Sequence, residues 1–144
     1  MIKPKDIREV LRCIKACKEG SSGGQYRIGS LFLYKNIRIG PFLNNYFKTD
    51  PLIPTIANYK YQQDILITLH AEVKVIKELN KRRLSTTIIK KGTLYISGLS
   101  PTDIVLTSKP CINCMKLITR TSIHRLIYTA SNSEGLLIKE NIIN

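Results

Sequence analysis

The chain has 144 residues, 43% hydrophobic and 23% charged. That is one globular domain's worth of sequence, long enough to bury roughly two thirds of its unfolded surface, and it excludes a disordered chain. No apolar run approaches the ~20 residues that cross a bilayer, so no membrane partner is expected. Twenty-three Lys and Arg against ten Asp and Glu leave a net charge of +13. A field of that sign attracts phosphate-bearing partners without separating one phosphate from a polymer of them.

Met1-Ile2-Lys3-Pro4-Lys5-Asp6 carries neither the apolar core nor the small-residue cleavage site of a signal peptide. A cytoplasmic, reducing compartment is the expectation, and Cys13, Cys17, Cys111 and Cys114 are expected to form no structural disulfides. Asp6 to Glu19 reads as an amphipathic helix, with Asp6 as N-cap and Ile7, Val10, Leu11, Ile14 and Cys13 or Cys17 inward. The two cysteines read as small buried hydrophobes. Gly20 to Gly24 is a turn, and Tyr26–Tyr34 with Asn36–Gly40 form a strand hairpin. Pro41 to Leu69 is long and irregular, the mark of a functional loop. His70 to Lys81 is a second helix with Val73, Ile76 and Leu79 inward. Thr86–Ile89 and Thr93–Ser97 read as two short strands of an inserted hairpin over 86–100. Asp103–Thr107 is a buried strand, Pro110 to Ser122 a third helix and Arg125–Ala130 another strand. Ser133–Glu140 is a short closing helix, and Ile142 to Asn144 a stub of strand. This alternation predicts a single α/β domain over 1–144 with a partly parallel sheet.

Two stretches carry chemistry. Cys111 and Cys114, three apart, share a helical face behind Pro110. The free N–H groups and the dipole of a helix start favour thiolate, the form that binds zinc. Redox motifs share this spacing, so it stands for zinc only with a further ligand. His70 supplies one. One imidazole and two thiolates make three ligands, and a three-ligand site keeps a position open for water. Cys13 and Cys17 remain formal alternatives for a fourth ligand, whereas His124 heads a strand and points elsewhere. Glu72 sits two residues after His70, in the first helical turn. There its carboxylate can move protons between a water and a substrate without binding the metal.

Together, His70-Ala71-Glu72 and Pro110-Cys111-Ile112-Asn113-Cys114 resemble the signature of the zinc-dependent cytidine/deoxycytidylate deaminase superfamily. The resemblance runs from about Arg27 to Lys139. Gly40…Asn45-Tyr46-Phe47-Lys48-Thr49-Asp50-Pro51 looks like that family's G-x-N-x-x-K-T-H-P stretch, with two extra residues before Asn45 and Asp50 in place of His. Asn44 is the alternative to Asn45. Ile104 to Cys111 looks like the strand leading into P-C, and Arg125 to Tyr128 like the next strand.

The resemblance implies a three-layer α/β/α cytidine-deaminase-like sandwich with a mixed sheet of about five strands. It implies Zn2+ held by His70, Cys111 and Cys114, with Glu72 as proton shuttle. By similarity, Asn45 meets the sugar, the Ala71 N–H meets the base, and carbonyls of Thr107, Ser108 and Lys109 accept from the leaving amine. Lys48, Lys109 and Lys60 are candidates for a 5′-phosphate contact. The implied reaction is deamination of cytosine in a deoxycytidylate-type nucleotide, dCMP to dUMP and ammonia. Two other readings stand beside it. One is a deaminase acting on single-stranded DNA, RNA or tRNA, with Lys81-Arg82-Arg83 and Lys90-Lys91 as a basic track. The other is a non-catalytic zinc-containing nucleic-acid-binding module, against which the intact Glu72 argues. Relatives are seldom monomers, so a homo-oligomer is implied.

Overall fold

The structure is a computed structural model. It describes residues 1–20, 26–44, 70–110, 112–130 and 137–143, with only the backbone of residue 113. The first helix, α1, spans Pro4–Glu19. Pro4 opens it at a position where the missing N–H costs nothing, so Lys3 is the N-cap. Asp6 therefore falls one turn inside rather than at the cap, where it accepts the Lys3 N–H at 2.8 Å. The buried face is correspondingly rotated. Val10, Cys13, Ile14 and Cys17 are inside, whereas Ile7 and Leu11 are 41% and 48% exposed.

Strands β1 (Arg27–Tyr34) and β2 (Ile37–Leu43) form the expected antiparallel hairpin around Lys35 and Asn36. Helix α2 (Ala71–Lys81) follows, then α3 (Thr86–Lys91), β3 (Thr93–Leu99), β4 (Val105–Leu106), α4 (Ile112–Thr119), β5 (Arg125–Ala130) and β6 (Leu137–Ile142). The sheet order is β2-β1-β3-β5-β6, with β4 pairing β3. β3 and β5 are parallel, Thr93 opposite Arg125 and Ile96 opposite Tyr128, while the other pairings are antiparallel. The pleat sorts side chains to two faces. Phe32, Leu94, Ile96, Leu126 and Tyr128 meet α2, α3 and α4, while Leu31, Tyr95, Leu99 and Ile127 meet α1. The result is the three-layer α/β/α sandwich with a mixed sheet. No helix among the described residues is long and apolar enough to cross a membrane.

Four stretches differ from their sequence reading. The hairpin over 86–100 does not form. Ser85 caps a helix there, accepting the Ile88 N–H at 3.2 Å, so capping overrides the β-branched composition of Thr86 to Ile89. Thr93–Leu99 is the fully buried strand between β1 and β5, not an arm of an insertion. The strand expected over Asp103–Thr107 shrinks to Val105–Leu106. Ser100 accepts the N–H groups of Thr102 and Ile104, Asp103 turns at φ +63°, and Ile104 is 62% exposed. The closing helix ending at Glu140 is instead β6 from Leu137 on, paired with β5 in the register Ala130–Leu137 to Arg125–Ile142. Residues 131–136 lie outside the described residues. The helix expected over Pro110 to Ser122 is the shorter α4, and Thr121 and Ser122 form a bend after it.

Candidate metal centre

Helices α2 and α4 both start at the end of the sheet to which β3 runs: β4, which leads into α4, pairs with the last residues of β3, and the first turn of α2 meets that of α4. His70 is the N-cap of α2 with an extended backbone, φ −72° and ψ 145°. That takes its side chain off the regular helical spacing, so His70 and Glu72 converge although residues two apart in a helix do not share a face. Glu72 lies in the first turn of α2, 5% exposed, and Cys114 in the first turn of α4, 1% exposed. His70 Nδ1 and Cys114 Sγ are 3.0 Å apart. One donor atom from each of His70, Glu72 and Cys114 lies within 4.8 Å of the others.

This donor set fits Zn2+. An imidazole nitrogen and a thiolate sulfur are its preferred ligands, and both helix starts stabilise negative charge. Tetrahedral zinc sets a nitrogen–sulfur separation of roughly 3.5 Å, so His70 and Cys114 need part by only about half an ångström. The Glu72 carboxylate is near enough to share a water with the ion. Cys111, Asn45, Lys48 and Lys60 lie outside the described residues.

The remaining candidates separate. Ala71 is buried at the first position of α2, where its N–H is one of those a helix leaves without an intrahelical carbonyl. Thr107 and Lys109 are exposed on the segment leading to α4. Ser108 between them is buried, and its hydroxyl serves the scaffold. It donates to the Ile96 carbonyl at 2.9 Å, lies 2.8 Å from Thr129 Oγ1, and accepts the Thr129 N–H at 3.1 Å. The Ser108 N–H donates to the Thr129 carbonyl at 2.9 Å, and Thr129 Oγ1 donates to the Leu106 carbonyl at 2.9 Å. This knot ties the segment before α4 to β3 and β5. Sequence reasoning missed Thr129. Its only signal was a hydroxyl in the otherwise apolar end of a strand. Asn44 is committed elsewhere, since its amide accepts the Ile28 N–H at 2.8 Å and donates to the Tyr26 carbonyl at 3.1 Å.

No match is found among curated proteins. The family model described as the cytidine and deoxycytidylate deaminase zinc-binding region, however, matches residues 4–130, a span that takes in α1, both helix starts and β5. An imidazole, a carboxylate and a cysteine sulfur gathered at two such helix starts agree with that match, and the chain belongs to this deaminase family.

Proposed function

We propose that the chain deaminates a cytosine base carried on a deoxycytidylate-type nucleotide, with His70, Cys111 and Cys114 as zinc ligands and Glu72 as proton shuttle. The observation that carries the reading is the buried Glu72 carboxylate within 4.8 Å of both the His70 nitrogen and the Cys114 sulfur. Bound zinc would supply an activated water near neutral pH. Glu72 takes a proton from the attacking water and delivers it to the ring nitrogen, N3. A C4–O bond forms, the bond from C4 to the exocyclic nitrogen breaks, and a second proton passed by Glu72 lets the nitrogen leave as ammonia. The Ala71 N–H orients the base, and carbonyls of the 107–109 segment accept from the departing amine. Lys109, exposed just ahead of α4, suits a single 5′-phosphate.

The test measures ammonia release from zinc-loaded protein given dCMP, deoxycytidine or a cytosine-containing single-stranded oligonucleotide. Turnover is expected with dCMP. Glu72→Ala should lower kcat by about a thousandfold, within the range for general acid–base groups, with zinc content unchanged. Turnover of the oligonucleotide alone would replace the mononucleotide reading. Zinc retention with no turnover of any substrate would leave a binding module.

A further inference from the structure

The end of the sheet opposite the metal centre gathers positive charge. β3 and β5 begin there side by side, Thr93 opposite Arg125, and α2, α3 and α4 all end there. Lys81, Arg82 and Arg83 close α2, Lys90 and Lys91 close α3, and Arg120 follows α4. All six are exposed. Arg82 is paired with Glu78 at 3.0 Å. No ion pair among the described residues engages Lys81, Arg83, Lys90, Lys91 or Arg120, while Asp6, Glu9, Glu19, Asp103 and Glu140 are paired to other cations. A cavity of about 220 Å³ sets Lys90 beside Ser122 and His124, so the ends of α3 and α4 adjoin. It offers an ammonium, a hydroxyl and an imidazole on one rim, donors suited to phosphodiester oxygens.

Complementing a helix dipole accounts for a cation in each last turn. It does not account for Arg83. That residue sits just past the end of α2 at φ +52°, the left-handed position that glycine occupies most readily. A guanidinium is held there against the backbone preference. Nor does a mononucleotide substrate account for this surface. The 11 residues of α2 put it roughly 16 Å from His70 and Glu72, beyond the reach of one phosphate on a base held at the metal centre.

We propose that this end of the molecule, centred on Arg83, Lys90, Lys91 and Arg120, docks the phosphate backbone of a single-stranded nucleic acid. The choice of a single strand rests on the deaminase reading, widened from a free nucleotide to a nucleotide within a strand, since a base enters a buried cluster only when unpaired. The docking surface itself lies outside the catalytic groups.

The probe is a fluorescent 20-nucleotide oligothymidylate, which has no exocyclic amine and so reports binding without turnover. Its anisotropy is followed with zinc-loaded full chain across a salt series. Binding is expected, equal in wild type and in Glu72→Ala. The triple variant Arg83→Glu, Lys90→Glu, Lys91→Glu should bind at least about tenfold more weakly, with a log–log salt slope shallower by about 2. Lys5→Glu, Arg8→Glu, Lys18→Glu makes the same charge change on α1, in the other layer, and should cost no more than about threefold. Arg83→Gly should weaken binding while raising the melting temperature by about 2–4 °C, so that binding and stability move in opposite directions. A glutamine version of the first triple, with melting curves for every variant, separates lost charge from lost fold. Failure to bind the probe, equal losses in the two glutamate triples, or tighter binding to a duplex of the same length would overturn the proposal. Absent deamination with binding intact would sink the catalytic reading and leave this one standing.

Discussion

Ser108 shows what a single residue type does and does not disclose. By resemblance its carbonyl, with those of Thr107 and Lys109, is expected to accept from a leaving amine. In the fold its hydroxyl joins Ile96 and Thr129. Ser108→Ala should strip a buried knot of a shared member and cost about 1–3 kcal/mol. Urea unfolding reads the loss, and chelator competition should show weaker zinc binding because the segment before α4 is no longer pinned. His70, Glu72 and Cys114 were legible because metal and proton chemistry admit few residue types at that spacing. The scaffold roles of the Ser108 hydroxyl and the Asn44 amide were not, because a hydroxyl or an amide takes its role from whichever backbone the fold brings near. Cys13 and Cys17 were read from spacing alone as small core side chains, and both are fully buried and free. Burial drives the Cys13 thiol well above its usual range and pushes Cys17 up to about 12. Neither should react with a thiol reagent at pH 8 in the native protein, and both should react at once in denaturant. Labelling of either one before unfolding would contradict this packing.

At the scale of elements, α1 lies hard against β1. A Cβ added at Gly29 would stand 2.9 Å from the Cys13 carbonyl oxygen and 3.1 Å from Cys17 Sγ. The first of these is backbone and cannot swing aside. Gly29→Ala should therefore push α1 off the sheet and destabilise the protein by about 1–3 kcal/mol. Because α1 covers the face away from the metal centre, kcat/KM below the melting range should change less than twofold. A large kinetic loss without a stability loss would mean that α1 reaches the site by another route. Helices with a clear apolar stripe, α1 and α2, were legible, as was the hairpin. The segments that misled share a cause. Thr86–Lys91 and Leu137–Ile142 are short and rich in Ile, Leu or Thr, and over six residues such composition fits helix and strand alike. Thr93–Leu99 is the strand its composition indicates, and only its place in the sheet differs from expectation. Ser85 decides the first by capping. Antiparallel pairing with the neighbouring β5 decides the second, and pairing with β1 and β5, both distant in sequence, sets the place of Thr93–Leu99.

For the molecule as a whole, one ion cluster joins α1 to the sheet. Buried Asp6 accepts from Arg125 at 2.9 Å and from the Tyr95 hydroxyl at 2.5 Å, and Arg125 also donates to Glu140. Burial works against the Asp6 charge, but the bonds from Arg125, Tyr95 and the Lys3 N–H outweigh it and bring its pKa from 3.8 down to about 2. A carboxylate lowered on folding contributes stability that is complete above its unfolded value and lost as pH falls through the folded one. The protein should thus lose about 2 kcal/mol between pH 4 and pH 2 from this group. Denaturant midpoints across that range should fall in the wild type and fall less in Asp6→Asn. The crossover between the parallel strands has its own corollary. His70 and Cys114, 3.0 Å apart in space, are 44 residues apart along the chain, and the stretch between them contains α2, α3, β3 and β4. An ion gripped by both acts as a clasp on a long loop, which the unfolded chain cannot close without a large entropy loss. Metal then binds the native state almost alone and shifts the folding equilibrium by mass action. How long a molecule of this protein survives proteolysis becomes a function of how much free zinc surrounds it.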